Sequence, residues 1–212
     1  EGAREGSAGA AATAIAYPET RRGDTVDDYH GVSVADPYRW LEDLDSDETA
    51  SWVASQNEVT QGYLSRLEDR AKFQERLEAL WDYERYSVPF EEGGRYFVFK
   101  NDGLQNQSVL YTMETLDAAP RVLLDPNTLS TDGTVALNGL SISHDGKHLA
   151  YALSSAGSDW KTWRVRDIAT GDDLNDVVEW SKFSGASWTH DGAGFFYSRY
   201  DAPKEGNEYE GV

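Results

Sequence analysis

The chain has 212 residues, with 38 Asp and Glu against 19 Lys and Arg, a formal net charge of −19. A field of that sign repels phosphate backbones and anionic bilayers, and basic residues are scattered among acids, as in Arg66-Leu67-Glu68-Asp69-Arg70; nucleic acid and membrane surfaces are excluded as partners. The absence of Cys excludes disulfides and thiolate metal sites, and an aromatic content of 12% excludes a disordered chain and suits a β-rich one.

In chain order, Gly2 to Ala16 is rich in Ala and Gly. Residues 1–16 read as an unstructured leader or as the tail of a cleaved export signal, which leaves cytoplasm and export both open. No apolar run approaches the ~20 residues of a membrane span. Tyr17 to Leu44 is turn-rich and strand-poor, with Pro18, Gly23, His30-Gly31 and Asp36-Pro37, the character of a segment laid over another surface. Asp45 with Glu48 fits a capping box, and Trp52, Val59, Tyr63 and Leu67 recur at helical spacing. A second helix is expected from about Ala71, with Phe73, Leu77, Leu80 and Trp81 on one packing face.

From Tyr86 the period changes from 3.6 to 2. Strands are expected at Arg95–Lys100, Ser108–Thr112, Arg121–Leu124, Leu137–Ile142, His148–Leu153, Thr162–Asp167, Gly185–Thr189 and Gly194–Arg199. Asn101-Asp102-Gly103 and Asp167-Ile168-Ala169-Thr170-Gly171 read as turns between them.

This half repeats itself. Ser141-Ile142-Ser143-His144-Asp145-Gly146 followed by a strand ending at Tyr151 returns as Ser187-Trp188-Thr189-His190-Asp191-Gly192 followed by a strand ending at Tyr197. A weaker copy begins at Gly93-Gly94, and the spacings are 52 residues from Gly94 to Gly146 and 46 from there to Gly192. That period with about four short strands per unit is the signature of propeller blades, of which two and the start of a third are expected here. A propeller needs at least four blades, so the chain is expected to stop inside its domain.

The candidate chemistry resolves into scaffold. His144-Asp145 and His190-Asp191 resemble acid/base dyads, but they recur before the turn Gly of each repeat, where Asp suits the turn and His can satisfy a backbone group. Gly139-Leu140-Ser141-Ile142-Ser143 and Gly185-Ala186-Ser187-Trp188-Thr189 approach a nucleophile elbow but lack its last Gly. His30, His144, His148 and His190 form no helical metal-ligand motif, and Asp125-Pro126-Asn127 does not continue into a calcium loop. No catalytic residue, metal site or cofactor is expected within the chain.

The lead-in carries a more specific signal. Tyr17-Pro18, Thr20 and Arg22, then Asp27-Asp28-Tyr29-His30-Gly31-Val32, then Asp36-Pro37-Tyr38-Arg39-Trp40-Leu41-Glu42-Asp43 closely resemble the amino-terminal signature of the prolyl oligopeptidases. The likeness continues through Glu48-Thr49, Trp52-Val53, Gln56-Asn57 and Tyr86-Ser87-Val88-Pro89 into Phe183-Ser184-Gly185 and the third repeat.

That resemblance implies an α/β-hydrolase domain built from both chain ends, with a seven-bladed β-propeller inserted. The fold class expected for the chain is thus mainly β, the opening blades of the propeller (residues 84–212) preceded by a helical and extended segment (residues 17–83) that belongs to the hydrolase domain. It implies a serine endopeptidase acting on proline-containing oligopeptides by acyl transfer, with a catalytic Ser, Asp and His in the carboxyl-terminal part and a propeller that gates access. The expected partners are those peptides and the carboxyl-terminal hydrolase domain, in a full-length monomer. An aromatic at Phe183 is implied to face the hydrolase domain and line an apolar substrate subsite, the competing role being blade core. Two other readings stand beside this one: a non-enzymatic propeller binding module, which the lead-in disfavours, and a sister peptidase cleaving after basic residues.

Overall fold

A computed structural model describes residues 15–202. Most of the leader assigned to residues 1–16 lies outside the described residues, as does the end of the segment assigned to the propeller, from residue 203 on. The chain divides into two units between Leu77 and Glu78. No described helix is long and apolar enough to cross a membrane.

The first unit opens with a hairpin where the sequence reads as strand-poor. Strands β1 (Val26–Tyr29) and β2 (Val32–Ala35) pair antiparallel with Tyr29 opposite Val32. The two turn residues both adopt positive φ, His30 at 57° and Gly31 at 87°, the mirror-image geometry that matches strand twist. Arg39, in a 3-10 turn over Arg39–Glu42, donates to the carboxylates of both Asp27 and Asp36 and closes the open end of the hairpin. The Arg39 guanidinium bonded to it holds the Asp36 carboxyl below its ordinary range.

Helix α1 (Asp47–Leu64) is capped by Ser46, whose hydroxyl accepts from the Thr49 N–H at 3.2 Å. The expected Asp45–Glu48 box is therefore displaced by one residue. Glu48 does not return to the cap, because its carboxylate takes the Arg21 guanidinium at 2.5 and 3.0 Å. Trp40 Nε1 donates to the Arg21 carbonyl and Trp52 Nε1 to the Thr20 hydroxyl, each at 3.0 Å. The motif residues of the lead-in thus form one network laid against α1. Helix α2 (Arg70–Trp81) departs from expectation differently: its stripe of Phe73, Leu77, Leu80 and Trp81 is exposed.

The second unit is built of antiparallel meanders. In the first blade β3 (Arg85–Tyr86) and β4 (Phe90–Glu92) pair in succession along one edge of β5 (Arg95–Asn101), followed by β6 (Val109–Met113) and β7 (Arg121–Leu124). The second blade runs β8 (Val135–Ile142), β9 (His148–Ser155), β10 (Lys161–Asp167) and β11 (Asp173–Ser181) in spatial order. The third begins with β12 (Ser187–Trp188) and β13 (Phe195–Phe196). Strand β11 has no counterpart among the expected strands. Its acidic, mostly exposed sequence gives little hydrophobic period, and its pairing with β10 supplies what the side chains do not. Conversely, the two strands expected in the third blade contract to two residues each.

Strand β9 shows how period 2 builds a propeller. Leu149 and Tyr151 join Phe97, Leu110, Leu124 and Ile168 in a core against the first blade. Ala150 and Ala152, on the opposite face, pack with Trp163, Val165 and Trp188 toward the third. The small side chains leave room for two indoles. Gly139 does the same in β8: a Cβ there would lie 3.1 Å from the Trp163 ring, and the β8–β9 register shifts at this point.

Candidate functional site

The repeated His-Asp-Gly segments form the turns that follow β8 and β12, the first strands of the second and third blades. Asp145 accepts from the Ser143 hydroxyl at 2.7 Å and the Lys147 N–H at 3.2 Å; Asp191 accepts from the Thr189 hydroxyl at 2.6 Å and the Ala193 N–H at 3.1 Å. These bonds hold both carboxyls below their ordinary range. Each Asp therefore clamps a turn. The histidines do not serve backbone groups as expected. His144 Nδ1 lies 3.3 Å from the Glu92 carboxylate, and its ring stacks on His190 at 5.2 Å. Ser141 and Ser187 lie in β8 and β12, as structural strand residues.

Phe183 lies in the connection from β11 to β12. The end of β11 and the connection after it, Trp180 to Ser184, are fastened at several points by the segment Ser198–Tyr200. The Tyr200 N–H donates to the Trp180 carbonyl at 2.8 Å, and the Ser198 N–H to the Ser184 hydroxyl at 3.0 Å. The Ser181 hydroxyl accepts from Trp163 Nε1 at 3.2 Å and donates to the Ser198 carbonyl at 2.9 Å. Within this clamp Trp180 and Phe183 hold left-handed φ values of 60° and 52°, a strained choice for non-glycine residues that persists only where neighbours enforce it. The result is a Phe183 side chain 70% exposed.

Beside it stands Lys182, whose residue exposure is only 6%. Its ammonium lies 4.2 Å from the Trp160 ring centroid, 5.5 Å from that of Tyr200 and 5.8 Å from that of Phe183. Trp160 meets Trp180 and Tyr200 edge-on at 5.6 and 5.7 Å. Sequence reasoning singles out Phe183 and misses Lys182, Trp160 and Tyr200. They come from three separate loops with no shared motif, and only the fold gathers them. Among the described residues, no group of three or more His, Asp or Glu gathers to hold a metal ion.

The family model for the prolyl oligopeptidase N-terminal β-propeller domain matches residues 18–211. The prolyl endopeptidases of Elizabethkingia miricola and Elizabethkingia meningoseptica are 41% and 43% identical to the chain, each over 93% of it and 28% of their own length. A solved prolyl endopeptidase superposes with a TM-score of 0.81 at 35% identity, covering 88% of this chain and 28% of that one. Prolyl oligopeptidase B from Galerina marginata, bound to a 25-residue macrocyclization substrate, gives a TM-score of 0.76 at 37% identity, over 90% of this chain and 30% of that one. The chain thus spans under a third of the length of the relatives it matches. Its mainly β blades, its lead-in network and these matches agree: the chain belongs to the prolyl oligopeptidase N-terminal β-propeller domain family.

Proposed function

We propose that the chain is the amino-terminal part of a serine endopeptidase that hydrolyses short peptides after proline. The observation that carries this reading is the family match over residues 18–211, together with 41% and 43% identity to two prolyl endopeptidases. In this reading residues 17–83 pack on a carboxyl-terminal α/β-hydrolase domain, and residues 84–212 are the propeller's opening blades. The exposed apolar stripe of α2, Phe73 through Trp81, supports a covering domain, since large apolar faces seldom stay wet without a partner. The hydrolase domain would supply the Ser nucleophile, its His base, the orienting Asp and an oxyanion hole. Phe183, exposed at a strained position, is the substrate-facing wall, and the blades limit access to unfolded oligopeptides. The full-length protein acts as a monomer.

The test is to express the full-length protein and identify by mass spectrometry the products from peptides with one internal proline and one internal arginine. Cleavage after proline that a serine-acylating reagent abolishes is expected. Binding without cleavage, or cleavage after arginine alone, overturns the proposal.

A further inference from the structure

Among the described residues, Arg21 pairs with Glu48, Arg39 with Asp27, Asp36 and Glu42, Lys72 with Asp69, Lys100 with Glu84, Lys147 with Asp145 and Arg166 with Asp173. Lys182 is more buried than any of these cations, yet no described carboxylate lies within 4.0 Å of its ammonium. Among the described residues its partners are ring faces. Burying a cation without an anion is costly, and cation–π contacts of about 0.5–2 kcal/mol each offset only part of it. In a chain with twice as many acids as bases, an acid partner would be easy to supply. Among the described residues the site instead keeps a buried positive charge beside an exposed aromatic side chain.

We infer that Lys182 is a specificity-determining residue: it selects peptides that place a carboxylate next to the side chain packed on Phe183. This rests on the peptidase reading, in which Phe183 faces the substrate. The Trp160 and Tyr200 rings fix the ammonium near the Phe183 ring while excluding water on their side. A substrate Glu or Asp side chain completes an ion pair in an environment drier than bulk, where charge complementarity discriminates more strongly. A neutral isostere leaves the ammonium as it is in the free protein.

The test uses the full-length protein and paired peptides that carry Glu or Gln at each position from two to four residues before a single proline. Both kcat/KM and equilibrium binding by fluorescence anisotropy are measured. At one position the Glu peptide is expected to be favoured over the Gln peptide by roughly 10-fold, a preference that shrinks as salt is added. Lys182→Met, which keeps an unbranched side chain against the rings and removes the charge, brings the Glu-to-Gln ratio to about one. Lys182→Arg retains it. Equal losses on both peptides with a lowered melting midpoint make Lys182 a packing residue and overturn the inference, as does a Glu-to-Gln ratio of one in the parent protein. If no peptide is cleaved, the peptidase reading fails, but the anisotropy ratio still decides whether Lys182 reads charge.

Discussion

The indole of Trp188 donates a hydrogen bond from Nε1 to the Ser141 carbonyl at 3.0 Å, joining the first strands of the second and third blades. Trp188 also stacks on His148 and meets Phe195 edge-on at 5.2 Å, so this one side chain bridges two blades through both polar and apolar contacts. Trp188→Phe keeps most of the apolar contact and leaves the Ser141 carbonyl without its donor. The expected loss is about 1–3 kcal/mol, read as a lower denaturation midpoint of the full-length protein. An unchanged midpoint would show that the seam does not depend on this bond.

Adjacent glycines in the first blade's turn should respond unequally. A Cβ at Gly93 would lie 2.1 Å from the Gly146 nitrogen, in the equivalent turn of the next blade, whereas one at Gly94 meets nothing within 4 Å. Both φ values are positive, 60° and 74°. Gly94→Ala therefore meets only backbone strain of about 1–2 kcal/mol. Gly93→Ala adds a backbone collision that no rotamer relieves, and is expected to prevent soluble expression or to lower the midpoint much further. Expression and melting of the two variants side by side check the difference.

Tyr151, Asp173 and Arg166 tie β9, β10 and β11 together, with the Tyr151 hydroxyl donating to Asp173 at 2.8 Å and Arg166 gripping the same carboxylate. Burial, then the bond to Asp173, pushes the phenol up to about 12. Burial alone would raise the Asp173 carboxyl, but the Arg166 guanidinium and the Tyr151 hydroxyl outweigh it and hold that carboxyl below its ordinary range. A phenol raised in the folded state contributes stability that is complete below its unfolded value of about 10 and is lost as pH rises toward 12. The depressed Asp173 contributes stability present above about pH 4 and lost as pH falls through its folded value. Tyr151→Phe should therefore flatten the alkaline fall in stability, while Asp173→Asn flattens the acid limb. Melting midpoints across pH for both variants give the comparison.

Phe183→Ala should leave the fold intact, because the ring is 70% exposed and its removal opens no cavity; a stability change within about 0.5 kcal/mol is expected. If the ring lines a substrate subsite, kcat/KM on long proline peptides falls by roughly 10- to 200-fold. Peptides too short to reach the ring are unaffected. Equal losses on both substrate lengths, together with a lowered midpoint, would assign Phe183 to packing.

The 212-residue chain by itself is expected to show no turnover of proline peptides, since its His-Asp pairs are turn clamps and its candidate serines lie in strands. Turnover that follows the pure chain through purification and resists a serine-acylating reagent would contradict this.

Much of this fold was legible because it is written in local periods. Alternation located β5 through β10 to within two residues at each end, and the recurring Asp-Gly turns marked the blades before any contact was known. The lead-in motifs named the family, although their spacing did not reveal that Arg39 joins Asp27 to Asp36. Strand β11 and the β1–β2 hairpin escaped detection for a shared reason: their side chains are mostly exposed, so pairing, which is a backbone property, shapes them without leaving a hydrophobic pattern. The α2 stripe was legible as a pattern, but its exposure was not, because burial depends on what a helix meets.

The sequence alone determined the period, the turns and the family, all of which arise from residues close in the chain or fixed in order along it. Only the tertiary structure decided that Lys182 sits among Trp160, Tyr200 and Phe183, and that Phe183 is held outward at a left-handed φ. Those residues converge through strand pairing between separate hairpins, and a charge's surroundings are set by distance in space rather than by neighbours in sequence.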